Sequence, residues 1–141
     1  MSGNFMPQLK RWLILVLFVS LWSCSSSVPR PVSSITITLN VSGCKPDAYR
    51  ILAGSEMTLH FDNQTTNTWQ WYFFVRPVKL PLALVDQSDI YINFKIPSRT
   101  QEIKTFTSPL AAGSYTILCS PVGLENEDAF SKLTVVQPNY P

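Results

Sequence analysis

One stretch near the C-terminus, Gly113–Pro121, constrains the fold more than any other part of the chain. If it is a strand, Tyr115, Ile117 and Cys119 share one face, because successive side chains of a strand point to opposite sides. The stretch then runs through Ser120 into a proline. A cysteine is therefore expected at the end of a buried row of side chains, where a strand meets a loop.

Short segments typical of strands recur along the rest of the chain, separated by turn signals. In some, apolar and polar residues alternate, and others are rich in β-branched and aromatic residues. Together with the stretch above they predict eight strands, at 34–42, 49–53, 56–61, 69–75, 89–96, 102–107, 113–121 and 130–136. In the first, Val41 is expected to face inward with Ile35, Ile37 and Leu39, and residues 43–47 are expected to break the pattern. No segment has a helical period, so the sequence predicts an all-β fold, a Greek-key β-sandwich of about eight strands.

The composition permits one globular domain and excludes several functions. Hydrophobic residues make up 45% of the 141, enough for a real core. Two of the eleven Lys and Arg, Lys10 and Arg11, lie in an N-terminal segment that we expect to be removed, and the other nine balance nine Asp and Glu. Without a basic block we expect no nucleic-acid binding. His60 is the single histidine, and we find no serine or cysteine nucleophile with a base in reach. Paired carboxylates at buried positions are missing too, so we expect the protein to have no enzymatic activity.

The N-terminus has the features of an exported, anchored protein. Lys10 and Arg11 precede an apolar run over 12–22, which has the length of a signal peptide and is too short for an ordinary membrane span. The run ends in Leu21-Trp22-Ser23-Cys24, which resembles the bacterial lipobox, with Trp22 where a small residue is usual. This resemblance implies a signal peptide over 1–23 and a lipid such as palmitate on Cys24, holding the protein on the extracytoplasmic face of a bacterial membrane, in the cell envelope.

The remaining layout follows from that anchor. A Ser/Pro-rich tether is expected over 24–33, the β-sandwich over 34–137 and a short tail over 138–141. The alternatives are an uncleaved N-terminal anchor or an ordinary signal peptide with a chance cysteine.

Three motifs carry a resemblance to the cupredoxins, the blue-copper proteins. The stretch Gly113–Pro121 resembles the plastocyanin-type pattern G-x-Y-x-[FY]-x-C-S-P-H, with the tyrosine four residues before the cysteine; immunoglobulin-like domains place it two before. Cys44-Lys45-Pro46, followed by Ile51 to Gly54, is similar to the run F-x-P…[IV]-x-A-G. Phe61-Asp62-Asn63 is similar to the F-x-N that precedes the first copper histidine. The resemblance covers about a hundred residues and implies a cupredoxin-like sandwich.

The resemblance also implies where the copper ligands would lie. Type 1 copper uses two imidazoles, a thiolate and a weak axial thioether. These four positions correspond here to Trp69 or Gln70, Val122, Cys119, and Ala129 or Phe130. Of these positions only Cys119 carries a copper-ligating side chain. His60 cannot replace a missing imidazole, because it should point away from the inward face of its strand. We therefore expect no metal cofactor; the alternative is copper bound through Cys119 with Cys44 or with ligands from a partner.

The same alignment gives Cys119 a different role. The residue at the Cys44 position packs close to the metal end in cupredoxins, and an exported chain meets an oxidising compartment. With Cys24 lipidated, we expect a Cys44–Cys119 disulfide in the place of the metal. The alternative is two buried free thiols that pack as small apolar groups.

We therefore expect a non-enzymatic, membrane-anchored module with a structural or partner-binding role. The sequence does not identify its protein partner. A possible partner surface combines Trp69 and Tyr72, as the exposed members of the aromatic segment, with Glu125 and Glu127 of an acidic loop. The competing interpretations are core aromatics and a solvated loop. A third hypothesis is an enzyme or carbohydrate binder whose site the sequence does not reveal.

Overall fold

The computed structural model describes residues 30–126 and 129–138. Within these residues the regular structure is nine β-strands and two single-turn 3₁₀ helices, at Leu82–Leu84 and Gln87–Asp89. The predicted all-β class is confirmed, with one strand more than expected. The strands are β1 Ser34–Asn40, β2 Gly43–Lys45, β3 Ala48–Leu52, β4 Glu56–Asn63, β5 Trp69–Phe74, β6 Ile90–Ile96, β7 Gln101–Thr107, β8 Gly113–Pro121 and β9 Phe130–Val136.

The strands form two packed sheets. The first has the order β2-β1-β4-β7 and the second the order β3-β9-β8-β5-β6. The pairs β1/β4 and β3/β9 are parallel, and the other pairs are antiparallel. Most neighbours within a sheet are distant in sequence, because the chain crosses repeatedly between the sheets. This connectivity confirms the predicted Greek-key sandwich.

The extra strand corrects the expectation that residues 43–47 only break the pattern. Residues Gly43–Lys45 pair with β1, and Leu39 lies opposite Cys44. The turn between them is tight: the Asn40 side chain accepts a hydrogen bond from the Ser42 N–H at 2.8 Å, and Gly43 has a φ of 104°, which glycine adopts at little cost. Val41 lies at the tip of this turn and is fully exposed, so its predicted inward position is wrong.

The core lies between the sheets and is rich in aromatic rings. Trp71, at its centre, is 1% exposed. Its ring stacks with Phe94 at 5.8 Å and meets the edge of Phe61 at 6.0 Å. Phe73 and Phe106 lie about as close, at 6.2 Å each. Such rings bury large apolar areas in fixed relative orientations, so this layer packs β5 and β6 of the second sheet against β4 and β7 of the first.

The outer face of the second sheet is apolar as well. Phe74 and Leu118 point away from the core in the strand register, yet both are fully buried. The segment 75–89 lies over them: Pro77 and Val78 line one hollow with Thr116, and Pro81 lines another with Tyr72. This cover explains why β5 is apolar on both faces.

The start of the domain is tied to both sheets. The Val32 N–H donates to the Arg50 carbonyl, and the Thr58 N–H donates to the Ser33 carbonyl, each at 3.0 Å. Over residues 30–126 and 129–138, no helix has the length and hydropathy needed to span a bilayer. The predicted signal peptide over 1–23, the lipidated Cys24 and most of the tether lie outside the described residues.

Candidate functional site at the disulfide end

The cysteine of β8 lies where the sequence predicts, at the end of an inward row. Ile117 and Cys119 face the core, and Cys119 is paired across the sheet with Trp71. Only 3% of Cys119 is exposed. Cys44 reaches the same end of the sandwich from the other sheet, because β2 folds back beside Leu39 of β1. The two strands that carry the cysteines therefore face each other across the core.

The predicted Cys44–Cys119 disulfide is present. The two Cα atoms are 6.2 Å apart, within the range of about 4.4–6.8 Å that disulfides require. The bond joins β2 of the first sheet to β8 of the second and closes a loop of 75 residues. By loop-closure entropy, a bridge of this span contributes about 4–5 kcal/mol to the free energy of unfolding.

The first position that the resemblance assigns to a histidine is filled by a buried indole. Trp69 is only 4% exposed, because it belongs to the inward row of β5. Its predicted place in an exposed partner surface is therefore wrong. The indole N–H donates to Thr65 Oγ1 at 2.8 Å, and that hydroxyl donates in turn to Asn63 Oδ1 at 2.8 Å. The outward neighbour Gln70 is half-buried.

The side chain of Asn63 forms several hydrogen bonds at this end of the sandwich. Its side chain is 2% exposed, and its amide donates to the Pro97 carbonyl at 2.7 Å and to the Asn67 carbonyl at 2.9 Å. Its oxygen accepts from the Thr65 N–H at 3.0 Å. Buried amides of this kind stabilise a fold because each polar atom finds a partner. The residue thus fixes the loop that places Trp69 beside the disulfide.

The second histidine position is Val122, in the turn after β8. Val122 is 47% exposed, and its N–H donates to the Thr68 carbonyl at 3.0 Å. The side chains of Ala129 and Phe130, at the axial position, offer no donor atom for copper. His60 lies on the outer face of the first sheet, between Thr36 and Ile103.

This donor set does not fit a type 1 copper ion. The site would need two imidazoles and a thiolate, and the sulfur of Cys119 is bonded to Cys44. In the part of the chain that the structure describes, no three side chains of His, Cys, Asp or Glu are grouped to hold a metal ion.

A groove of about 820 Å³ opens beside the disulfide, and we call it the disulfide-end groove. The turn at 40–43 and the loop at 64–67 form its walls, and Cys119 and Leu124 line it. Ser120 lines it too; its buried hydroxyl has no hydrogen-bond partner among the described residues. Sequence reasoning missed this groove, because its walls come from loops distant in sequence.

The other residues of the expected partner surface lie elsewhere. Tyr72 is half-exposed on the outer face of the second sheet. Partial burial raises the pKa of its phenol, and the negative charge of Glu125 raises it further. Both line a second groove, which does not include the disulfide. Glu127 lies outside the described residues.

The structure is a two-sheet β-sandwich with a cysteine near the end of its penultimate strand. No protein-family model matches the chain, and no curated protein matches it by sequence. Solved structures do match its fold, and cupredoxins are among them.

An auracyanin from the photosynthetic bacterium Roseiflexus castenholzii is 19% identical, over 76% of this chain and 99% of its own, with a TM-score of 0.58. Auracyanin A of Chloroflexus aurantiacus, described as a blue copper protein, is 22% identical over 76% of this chain and all of its own, with a TM-score of 0.58. Rusticyanin is 15% identical over 94% and 97%, with a TM-score of 0.55. The chain therefore has a cupredoxin-like fold, and of the positions that the sequence resemblance assigns to copper ligands only Cys119 carries a ligand side chain.

Proposed function

We propose that this protein is a non-enzymatic cupredoxin-like module, anchored on the extracytoplasmic face of a bacterial membrane, which no longer binds a metal and has a structural or partner-binding role. One observation carries the proposal. The thiolate that copper would need is consumed in the Cys44–Cys119 disulfide, while an indole and a valine stand at the histidine positions. The bridge would supply the closure between sheets at the end where a copper-binding relative uses its ligands.

Copper retention tests the loss of metal binding. The full chain, purified without reductant, is loaded with Cu(II), dialysed and assayed for copper and for a visible sulfur-to-copper charge-transfer band. We expect no stoichiometric copper and no band. One retained copper per chain with such a band would contradict the proposal.

A variant that restores the ligands serves as the matched positive control. Cys44→Ala frees the Cys119 thiol, and Trp69→His with Val122→His supplies two imidazoles at the positions that the resemblance assigns. We expect this triple variant to retain more copper than the parent chain, because a thiolate and two imidazoles are a copper donor set. Thermal unfolding of the variant without copper shows whether it is folded.

The anchor rests on the sequence of residues 1–33. Metabolic labelling with a palmitate analogue, followed by membrane fractionation, tests it. The parent chain should carry the label and sediment with membranes, whereas Cys24→Ala should do neither. Equal labelling of both chains would contradict lipidation at Cys24.

A second candidate function is favoured by the placement of two sulfurs at one end. If a reductant opens the disulfide, Cys44 and Cys119 become a pair of soft thiolate ligands, which select Cu(I). Cu(I) competition against a chromophoric chelator, with reduced and unreduced protein, distinguishes this function. Binding that requires reduction and is lost in Cys44→Ala would support it, and equal weak binding in both redox states would exclude it.

A further inference from the structure

A second groove lies on the outer face of the second sheet, and we call it the Tyr72 groove. Its volume is about 460 Å³, within the usual range for small-ligand sites. One wall is the 3₁₀ turn that follows Pro81, and the floor is formed by Tyr72 of β5 and Asn93 of β6, which are paired across the sheet. It shares no lining residue with the disulfide-end groove.

The Tyr72 ring is held rigidly at the floor of this groove. It stacks on Phe74 with the ring centres 5.8 Å apart and the planes 10° from parallel. Phe74 is fully buried beneath the covering segment, so it fixes the plane of the tyrosine, while Tyr72 remains half-exposed. A rigid aromatic ring with an open surface provides an apolar platform for a flat ligand at low entropic cost.

Polar groups with unused hydrogen-bonding capacity surround the ring. Gln87 and Asn93 are exposed, and neither side-chain amide makes a hydrogen bond to another described residue. Glu125 accepts a hydrogen bond from the Gly123 N–H at 3.1 Å, and no Lys or Arg in the described ranges forms an ion pair with it. The Tyr72 hydroxyl is protonated at neutral pH, as a phenol ordinarily is, and can donate. The rim thus offers both donors and acceptors.

This combination selects one ligand chemistry. A carboxylate without a neighbouring cation disfavours anionic ligands. A quaternary ammonium would need a cage of aromatic rings, and Tyr72 is the only ring that lines the groove among the described residues. A neutral sugar fits both halves of the site. Its ring presents C–H groups that pack on an aromatic platform, and its hydroxyls each donate and accept.

We propose that the Tyr72 groove binds a neutral saccharide of one or two sugar units, such as the end or a short stretch of an envelope glycan. The inference rests on the proposed function in one respect only, namely that the module acts by binding. It does not involve the disulfide or a metal, so copper retention and sugar binding can fail independently.

The test is a titration of the full chain, purified in detergent and labelled with ¹⁵N, with neutral oligosaccharides. The panel is cellobiose, maltose, xylobiose and chitobiose, with choline and glucuronate as charged probes. We expect at least one neutral sugar to shift the backbone signals of Tyr72, Asn93 and Glu125 at millimolar concentration. No shift with any neutral sugar, or shifts confined to the disulfide-end groove, would overturn the proposal. So would shifts at these residues with choline or glucuronate alone.

Variants separate a binding role from a folding role. Tyr72→Ala removes the platform and should weaken binding about tenfold, the loss expected when a single aromatic contact is deleted. Tyr72→Phe keeps the ring and should retain most of the affinity. Glu125→Gln keeps the shape of the rim and should weaken binding less than Tyr72→Ala does.

Ile103→Ala, on the exposed outer face of the first sheet, is the matched control and should bind as the parent does. If Tyr72→Ala keeps the parent's affinity while its thermal unfolding is unchanged, the platform assignment is wrong. If it is unfolded, the Glu125→Gln affinity decides: an affinity equal to that of the parent would overturn the proposal.

Discussion

The two ends of the sandwich are closed by different chemistry. At one end, the Cys44–Cys119 bond joins the sheets, and the buried amide of Asn63 fixes the adjoining loop. At the opposite end, hydrogen bonds link the strand ends among the described residues. The Ser108 hydroxyl donates to the Leu52 carbonyl and accepts from the Ser55 N–H at 3.0 Å, and the Ser108 N–H donates to the Ser55 carbonyl at 2.9 Å.

The difference concerns the end of the sandwich to which the sequence resemblance assigns the copper ligands. The hydrogen-bonded end needs only serine and backbone groups, which any sandwich can supply. The other end is where the fold resemblance assigns ligands from three separate segments. Here the Cys44–Cys119 bond joins one of those segments to the other sheet, and the buried Trp69 side chain occupies the first histidine position in another.

The largest expected effect comes from removing the bridge. Cys44→Ala with Cys119→Ala should lower the free energy of unfolding by about 4–5 kcal/mol, because the unfolded chain regains the entropy of a 75-residue loop. Urea unfolding followed by tryptophan fluorescence measures this. The parent chain in reductant should unfold at nearly the same urea concentration as the double variant. A change below about 1 kcal/mol would show that the bridge is not what holds this end.

The next effect is expected at the same end. Asn63→Ala removes two hydrogen bonds to loop carbonyls and the acceptor for the Thr65 N–H and hydroxyl, although the Thr100 hydroxyl also donates to the Pro97 carbonyl. We expect a loss of about 2–3 kcal/mol in the free energy of unfolding. In the background of the double cysteine variant the loss should change, because neighbouring contributions couple. Strict additivity of the two losses would show that the loop and the bridge are independent.

The sequence predicted more of the end that holds the disulfide than of the disulfide-end groove and the Tyr72 groove. Cys119 could be placed because strand alternation is a local property and the residue ends an inward row. Its partner required the family resemblance, since the pairing joins residues 75 positions apart. Strand β2 was missed because Gly43, Lys45 and Pro46 lie among the turn-forming residues, and only the pairing with β1 makes the segment a strand. The same alternation could have marked Trp69 as inward.

A smaller effect is expected at the opposite end. Ser108→Ala leaves the Ser55 N–H and the Leu52 carbonyl without this partner, although the Ser55 hydroxyl also donates to that carbonyl at 2.8 Å. The free energy of unfolding should fall by about 1–2 kcal/mol. Because the two ends are far apart, this loss should add to that of the double cysteine variant within about 0.5 kcal/mol. Coupling well above that value would contradict the separation of the two ends.

The smallest effect is expected at an exposed hydrogen bond near the same end. The Tyr115 hydroxyl donates to the Ala111 carbonyl at 2.8 Å, within the turn that leads into β8. Tyr115→Phe keeps the ring against Phe73 and removes only this bond. The loss should be about 0.5–1 kcal/mol, the usual net contribution of one hydrogen bond. A loss as large as that of Asn63→Ala would show that the opposite end depends on its turn and not on Ser108.

The claim that a disulfide stands where a copper relative keeps its ligands is tested most directly by peptide mapping. The full chain is alkylated without reduction, digested and analysed by mass spectrometry. The account predicts one cross-linked species that joins the peptides of Cys44 and Cys119, with neither cysteine alkylated. Recovery of both peptides in alkylated form, from protein that retains one copper per chain, would contradict it.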